Sequence, residues 1–243
     1  MRERLDTRLV GLGLAPTREK AKRLILAGAV RVDGQVAAKP SDLVGEGTKL
    51  EVAAKEKFVS RGGYKLEAAL EAFYISCDNA VCVDIGASTG GFTDCLLQRG
   101  ARRVHAVDVG KGQLDWKLRQ DQRVTVHDQI NARHLTIADI GEAADLATID
   151  TSFISLKIIM PAARAVVKRA GHLVALIKPQ FEAGRKFIKR GGVVRDPAVH
   201  DRVKSEIVEF ATDTLGLRLI GLIESPLVGP AGNKEFLIGL QRP

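Results

Sequence analysis

The residues best placed to do chemistry in this chain stand where apolar runs end. Residues 81–97 read VCVDIGASTGGFTDCLL: an apolar run closes on Asp84, turns through Gly86, Gly90 and Gly91, and resumes as an amphipathic stretch. A strand, a tight glycine loop and a helix start hold a nucleoside cofactor against backbone N–H groups. A second acid, Asp108, closes the run 104–107 and lies 24 residues after Asp84. An acid at that place receives the two hydroxyls of a ribose. The loop Gly86-Ala87-Ser88-Thr89-Gly90, continued by Gly91 and Phe92, lacks the glycine spacing through which a pyrophosphate approaches. It therefore points to S-adenosylmethionine rather than to a nicotinamide dinucleotide. Further runs end at Asp128, Asp150 and Lys178.

These residues need a sheet to position them. The spacing predicts strands over 80–84, 103–107, 123–127, 145–149, 172–177, 217–223 and 235–240, with helices over 61–74, 91–99, 113–118, 155–169 and 198–214. Strands alternating with amphipathic helices give a mostly parallel α/β sheet covered on both faces. The connection between the last two strands, from Ser225-Pro226 to Asn233, is too short for a crossover helix, so the final strand is predicted antiparallel. Ligands of such sheets bind beyond the carboxyl ends of the parallel strands. Glu235 begins the antiparallel strand and so reaches that same edge, and Lys65 opens the helix before the first strand. Two lysines and two carboxylates, Lys65, Asp150, Lys178 and Glu235, can thus meet on one rim.

The 243 residues carry a net charge of +8, and the charge is unevenly spread. Residues 1–65 hold 14 Lys and Arg against 8 Asp and Glu; the other 178 hold 23 against 21. A basic module beside a nearly neutral domain suggests a polyanionic partner. Residues 1–57 read as a small α+β module. A helical stripe occupies 2–12, Thr17 caps a second helix that Gly28 ends, and Asp33-Gly34 marks a hairpin. Residues 58–64 read as a linker and 65–243 as the larger domain. The three cysteines, Cys77, Cys82 and Cys95, lie in or beside the predicted core, which fits reduced thiols in a cytoplasmic protein. No metal site is expected, because no cysteine pair has C-x-x-C spacing and no histidine pair lies near one. No apolar run approaches the roughly 20 residues of a membrane span, and the amino terminus lacks the pattern of a signal peptide.

Two resemblances follow from these motifs. Arg18, Ala21, Leu26, Gly28, Val30, Val32 and Gly34 resemble the ribosomal-protein-S-four-type RNA-binding domain. The segments VSRGGYKL, VDIGASTGGFTDCLL, AVDVGKGQL, IDTSFISL, LIKPQFE and NKEFLI together resemble the TlyA-type, hemolysin-annotated ribosomal RNA methyltransferases. Those join an S-four-type domain to an FtsJ-like ribose methyltransferase domain with a Rossmann-like sheet. The resemblance implies a Lys–Asp–Lys–Glu tetrad at Lys65, Asp150, Lys178 and Glu235. It also implies cofactor contacts from Asp84, Gly86, Ala87, Ser88, Gly90, Gly91, Phe92 and Asp108, with Asp128 near the adenine. There Gln129 and Ile130 depart from the family's usual Arg-Thr. The implied reaction is methyl transfer from S-adenosylmethionine to a ribose 2′-hydroxyl of ribosomal RNA, free or in an assembled subunit. No membrane and no obligatory protein partner are implied.

The tetrad suits that acceptor. So weak an acid needs a proton acceptor, and a lysine accepts only when neutral, which burial and a neighbouring cation promote. Lys178 is expected in that role, with Lys65 beside it and the two acids orienting both. RNA contacts are expected from Arg4, Arg18, Lys20, Lys22, Arg23 and Arg61. Arg185, Lys186, Lys189 and Arg190 add to these from the long basic segment after Lys178, read as a mobile flap. Four other readings fit less well. An amino-methylating enzyme expects two prolines after the fourth-strand acid, where Thr151 and Ser152 stand. A pseudouridine synthase leaves the glycine loop without a purpose. A membrane-lytic reading finds no span in the sequence, and nothing favours an idle methyltransferase domain, since all four tetrad candidates are present.

Overall fold

The computed structural model describes residues 2–53, 56–188 and 191–243. The chain divides into two compact units, Met1–Glu56 and Lys57–Pro243. In the first, strand β1 (Glu3–Arg4) leads into helix α1 (Leu5–Gly11), followed by helix α2 (Arg18–Leu26). Short strands β2 (Val30–Val32), β3 (Gln35–Val36), β4 (Leu43–Val44) and β5 (Leu50–Val52) follow. Thr17 caps α2 by accepting the Lys20 N–H, and the Asp33-Gly34 turn has positive φ at both residues, the backbone of a tight hairpin. Leu5, Leu9, Ala21, Ile25 and Val30 form its core. The stripe 2–12 is helical only from Leu5, because Glu3 and Arg4 pair with β4 instead.

The second unit begins with helix α3 (Gly62–Ala72) and strand β6 (Val81–Ile85), then α4 (Gly91–Gln98), β7 (Arg103–Asp108), α5 (Trp116–Arg119) and β8 (Val124–Asp128). It continues through α6 (Ile137–Ile140), β9 (Ala144–Ile149), α7 (Leu156–Val166), β10 (Val167–Ile177), α8 (Pro179–Glu182), α9 (Pro197–Glu209), β11 (Arg218–Glu224) and β12 (Phe236–Gln241). One seven-stranded sheet runs in the order β11-β12-β10-β9-β6-β7-β8. The pairs from β10 through β8 are parallel, and β12 lies antiparallel between β10 and β11. Apolar clusters cover both faces: Val83 and Ile85 belong to one, Cys82 to the other. That is why β6 reads as a near-continuous apolar run rather than an alternation.

Three local expectations differ from the structure, and one short turn has no counterpart among them. The helix predicted over 155–169 ends at Val166, where the chain passes directly into β10 through an irregular stretch with Ala170 at φ +60°. The helix predicted over 113–118 shrinks to the single turn α5. The turn α6 was hidden by its brevity, although Thr136 and Asp139 form a reciprocal cap at its start. Residues 58–64, read as a linker, belong to the second unit. Phe58 is buried in its core, and the Phe58 ring meets Tyr64 edge-on at 5.1 Å between centroids. A Cβ on Gly63 would stand 2.2 Å from the Phe58 ring, so glycine is required for that closure.

Candidate active site

The carboxyl-end rim of the sheet carries two buried ion pairs. Lys65 Nζ donates to Glu235 Oε2 at 2.6 Å, joining α3 to the start of β12 across 170 residues of sequence. Both side chains are buried, Glu235 to 1% exposure. Lys178 Nζ stands 2.6 Å from Asp150 Oδ1, and its directed hydrogen bond goes to Ser152 Oγ at 3.0 Å. Each lysine therefore has its own acid, whereas the sequence suggested the two lysines side by side. Lys65, Asp150, Ser152 and Lys178 line one cavity of about 340 Å³, with the glycine loop (Gly86, Ala87, Ser88, Gly91) and Phe92 forming another wall. Glu235 stands behind Lys65 rather than in the lining.

A second cavity of about 580 Å³ adjoins the first, sharing Gly86, Ser88, Asp150 and Ser152 with it. Its walls are apolar at Val107, Ile130 and Ile159, with Asp108 and Asn131 as polar groups. Asp108 braces the glycine loop: Oδ2 accepts the Ser88 N–H at 2.8 Å and Oδ1 accepts the Gly110 N–H at 2.7 Å. A carboxylate has lone pairs left after two such bonds, so hydroxyls can still be received. The Thr151 hydroxyl also stands in this wall, buried and without a protein partner. An apolar slot with a few converging polar groups and one orphaned hydroxyl suits a nucleoside carrying a polar tail. Gly86 sits at φ +84°, and a Cβ there would meet the Asp150 carbonyl at 2.6 Å. Gly90 lets the loop rest on Leu118 and Leu114, which a Cβ would strike at 2.3 and 2.7 Å.

Two residues expected to touch the cofactor point elsewhere. Asp84 is fully buried, accepting from the Thr93 hydroxyl at 2.7 Å and the Thr148 hydroxyl at 3.0 Å. Burial pushes its carboxyl up to about 6, against the pull of the two hydroxyls. It ties α4 to β9 beneath the loop and is no part of either lining. Asp128 accepts the Gly112 N–H at 3.1 Å and pairs with Arg119 at 3.0 Å. Those two contacts lower its pKa, the Gly112 N–H most, and Ile130 and Asn131 line the wall instead. Strand-end logic also missed Glu182. Its carboxylate accepts the Ser155 hydroxyl at 2.6 Å and the Leu156 N–H at 2.8 Å, which fastens the turn after Lys178 to the loop that follows Asp150. Burial raises its pKa.

The basic candidates divide by partner. Arg4 and Arg18 both donate to Asp6, which is wholly buried; the paired guanidinium groups, Arg4 most, hold its carboxyl far below the usual range. Arg23 pairs with Glu19 on the surface, and Lys20 and Lys22 are exposed on α2. Arg61 lines the smaller cavity and donates to the Val228 carbonyl at 3.3 Å. Arg185 and Lys186 are exposed, yet the next residue, Phe187, packs on the core beneath the Arg202 guanidinium at 4.2 Å. That part of the expected flap is anchored. Lys189 and Arg190 lie outside the described residues.

Residues 58–242 match the FtsJ-like methyltransferase family, and residues 3–50 match the S4 domain. The chain belongs to the FtsJ-like methyltransferase family. It is 47% identical over 242 residues to the 16S/23S rRNA (cytidine-2′-O)-methyltransferase TlyA of Mycobacterium tuberculosis, covering 99% of this chain and 90% of that one. It is also 39% identical to a protein named hemolysin A of Brachyspira hyodysenteriae, over 96% of this chain and 98% of that one. A solved structure from Streptococcus thermophilus, described as a hemolysin, superposes with a TM-score of 0.76 at 46% identity, covering 99% of this chain and 88% of that one. Among the described residues of this FtsJ-like chain, no helix is long and apolar enough to cross a membrane.

Proposed function

We propose that this protein transfers a methyl group from S-adenosylmethionine to a ribose 2′-hydroxyl of ribosomal RNA. The observation that carries the reading is the pair of lysine–carboxylate contacts on one rim, opening into the cavity beside the glycine loop. S-adenosylmethionine brings an already activated methyl group on a cationic sulfur, so the chain need supply only alignment and a proton acceptor. Asp108 receives the ribose hydroxyls of the cofactor and the walls at Val107, Ile130 and Ile159 enclose its base. Lys178 serves as the proton acceptor for the acceptor hydroxyl. Asp150 and Ser152 hold its Nζ at the junction of the two cavities. Lys65, fixed by Glu235, lines the same cavity and orients the acceptor ribose.

The amino-terminal unit holds structured RNA through Lys20, Lys22 and the exposed faces of Arg4, Arg18 and Arg23, by phosphate contacts that follow shape. The work would be done in the cytoplasm, where ribosomal subunits are assembled. The relatives named above are what bring ribosomal RNA, rather than another RNA, to this reading. The test is to incubate the protein with undermethylated ribosomal subunits and labelled S-adenosylmethionine, then locate the label by nuclease digestion and mass spectrometry. Label on a ribose is expected. Label on a base, or none on any ribosomal RNA, overturns the proposal.

A further inference from the structure

Trp116 is the chain's single tryptophan, and 74% of it is exposed. It does not hang on a loose loop. Leu114 and Leu118, both buried, anchor the turn under Gly90. The Asp115 N–H donates to the Thr89 carbonyl at 3.1 Å, and the Asp115 carboxylate caps α5 by accepting the Lys117 N–H at 2.8 Å. Arg119 Nε closes the turn onto the Leu114 carbonyl at 3.2 Å. Thr89 lines the tetrad cavity, and Gln113 lines the adjoining one. The indole therefore stands on a rigid turn that is bonded to Thr89 of one cavity and follows Gln113 of the other.

An indole so exposed forgoes the favourable burial that its area would bring, unless a partner covers it. The surroundings specify the partner's charge. Of the four basic side chains in 109–123, Arg119 and Arg123 pair with Asp128 and Asp121, which leaves Lys111 and the largely exposed Lys117, 3.8 Å from Asp94, as the basic groups next to Trp116 in the chain. Lys111 and Lys117 are themselves exposed, and Val109, also 74% exposed, lines the larger cavity. An exposed aromatic face with exposed lysines in the same segment fits an unpaired nucleobase with its phosphates, since bases stack on aromatic side chains whatever their sequence. A peptide docking there would instead have to be acidic and apolar.

We infer that Trp116 is a stacking platform for an unpaired base of the RNA substrate close to the acceptor nucleotide, with Lys111 and Lys117 meeting its flanking phosphates. The inference rests on the proposed RNA substrate, but its test is independent of methyl transfer. Because the chain has one tryptophan, its fluorescence reports this site alone. Deproteinised ribosomal RNA is added to the full-length protein, with saturation set by the anisotropy of labelled RNA. Acrylamide quenching of Trp116 is expected to fall several-fold. W116A should weaken RNA binding by about tenfold, and W116F should recover most of the loss. Turnover at saturating RNA and affinity for S-adenosylmethionine should stay as in the parent. Unchanged quenching at saturation, or unchanged W116A affinity, overturns the inference. So does a loss seen only with intact subunits, which would assign the surface to a ribosomal protein. A protein that protects Trp116 yet methylates no ribose would sink the proposed reaction and leave this platform standing.

Discussion

The rim of the sheet and the surface of the amino-terminal unit use the same charged residue types to different ends. At the rim, Lys65 and Glu235 are removed from water and paired at 2.6 Å, and Lys178 is nearly as enclosed beside Asp150. Such pairs are costly to assemble and more costly to break, because removing one partner strands the other's charge. On α2, Arg23 and Glu19 also lie 2.6 Å apart, but both are about three-quarters exposed, and such pairs contribute little. Asp6 is the exception in that unit: a buried acid that draws Arg4 and Arg18 inward and limits how freely they can meet phosphates. Position in the low-dielectric interior, rather than residue type or distance, separates the rim pairs from the solvated surface.

The sharpest way to break this comparison is at Lys178. K178A should lower methyl transfer by at least about a thousandfold while S-adenosylmethionine binding, followed by calorimetry, survives, since proton transfer and alignment fail together. Near-normal transfer would remove Lys178 from the reaction. E235A should cost about 3–5 kcal/mol in denaturant unfolding by leaving Lys65 buried and alone. The exposed Arg23–Glu19 pair has no counterpart to that loss: E19A on α2 should cost under about 0.5 kcal/mol.

A pH series sharpens the same contrast. Asp84 has a folded-state pKa raised to about 6, so its favourable contribution is complete below the unfolded value near 4 and is lost as pH rises through 6. D84N cannot titrate. Its stability relative to the parent should therefore rise by about 2–3 kcal/mol between pH 4 and pH 7. A flat difference across that window would show that Asp84 is not held protonated by burial. The smallest effects belong to the exposed lysines. K20S and K22S should each weaken ribosomal RNA binding a few-fold and lower the slope of log affinity against log salt by about one. Arg185 and Lys186 replaced by Ser should act in the same direction, and unchanged binding across salt would exclude both sets from the interface.

Much of this fold was legible in the chain because buried parallel strands and their covering helices have distinct periods. Strands β6, β7, β8 and β9 fall within a residue or two of their predicted places, and the antiparallel β12 followed from the shortness of its connection. Short elements were not legible. α6 and α8 span four residues each, too few for a period to show, and the turn at α5 is held by leucines from beneath rather than by helical propensity. Phe58 looked like linker because one aromatic without periodic neighbours carries no signal until its ring is seen against Tyr64.

By itself the chain determined which residues reach the rim. A strand's end is written in its own apolar run, and Asp150, Lys178 and Glu235 stand at such boundaries. Only the tertiary structure decided what each meets there. Inserting β12 between β10 and β11 delivers Glu235 to Lys65, and the β9–β10 pairing sets Asp150 against Lys178. It also turned Asp84 inward to two threonine hydroxyls and gave Asp128 to Arg119. The reason is geometric. Local pattern sets how far along the sheet a residue lies, while the direction and partner of its side chain depend on neighbours distant in sequence.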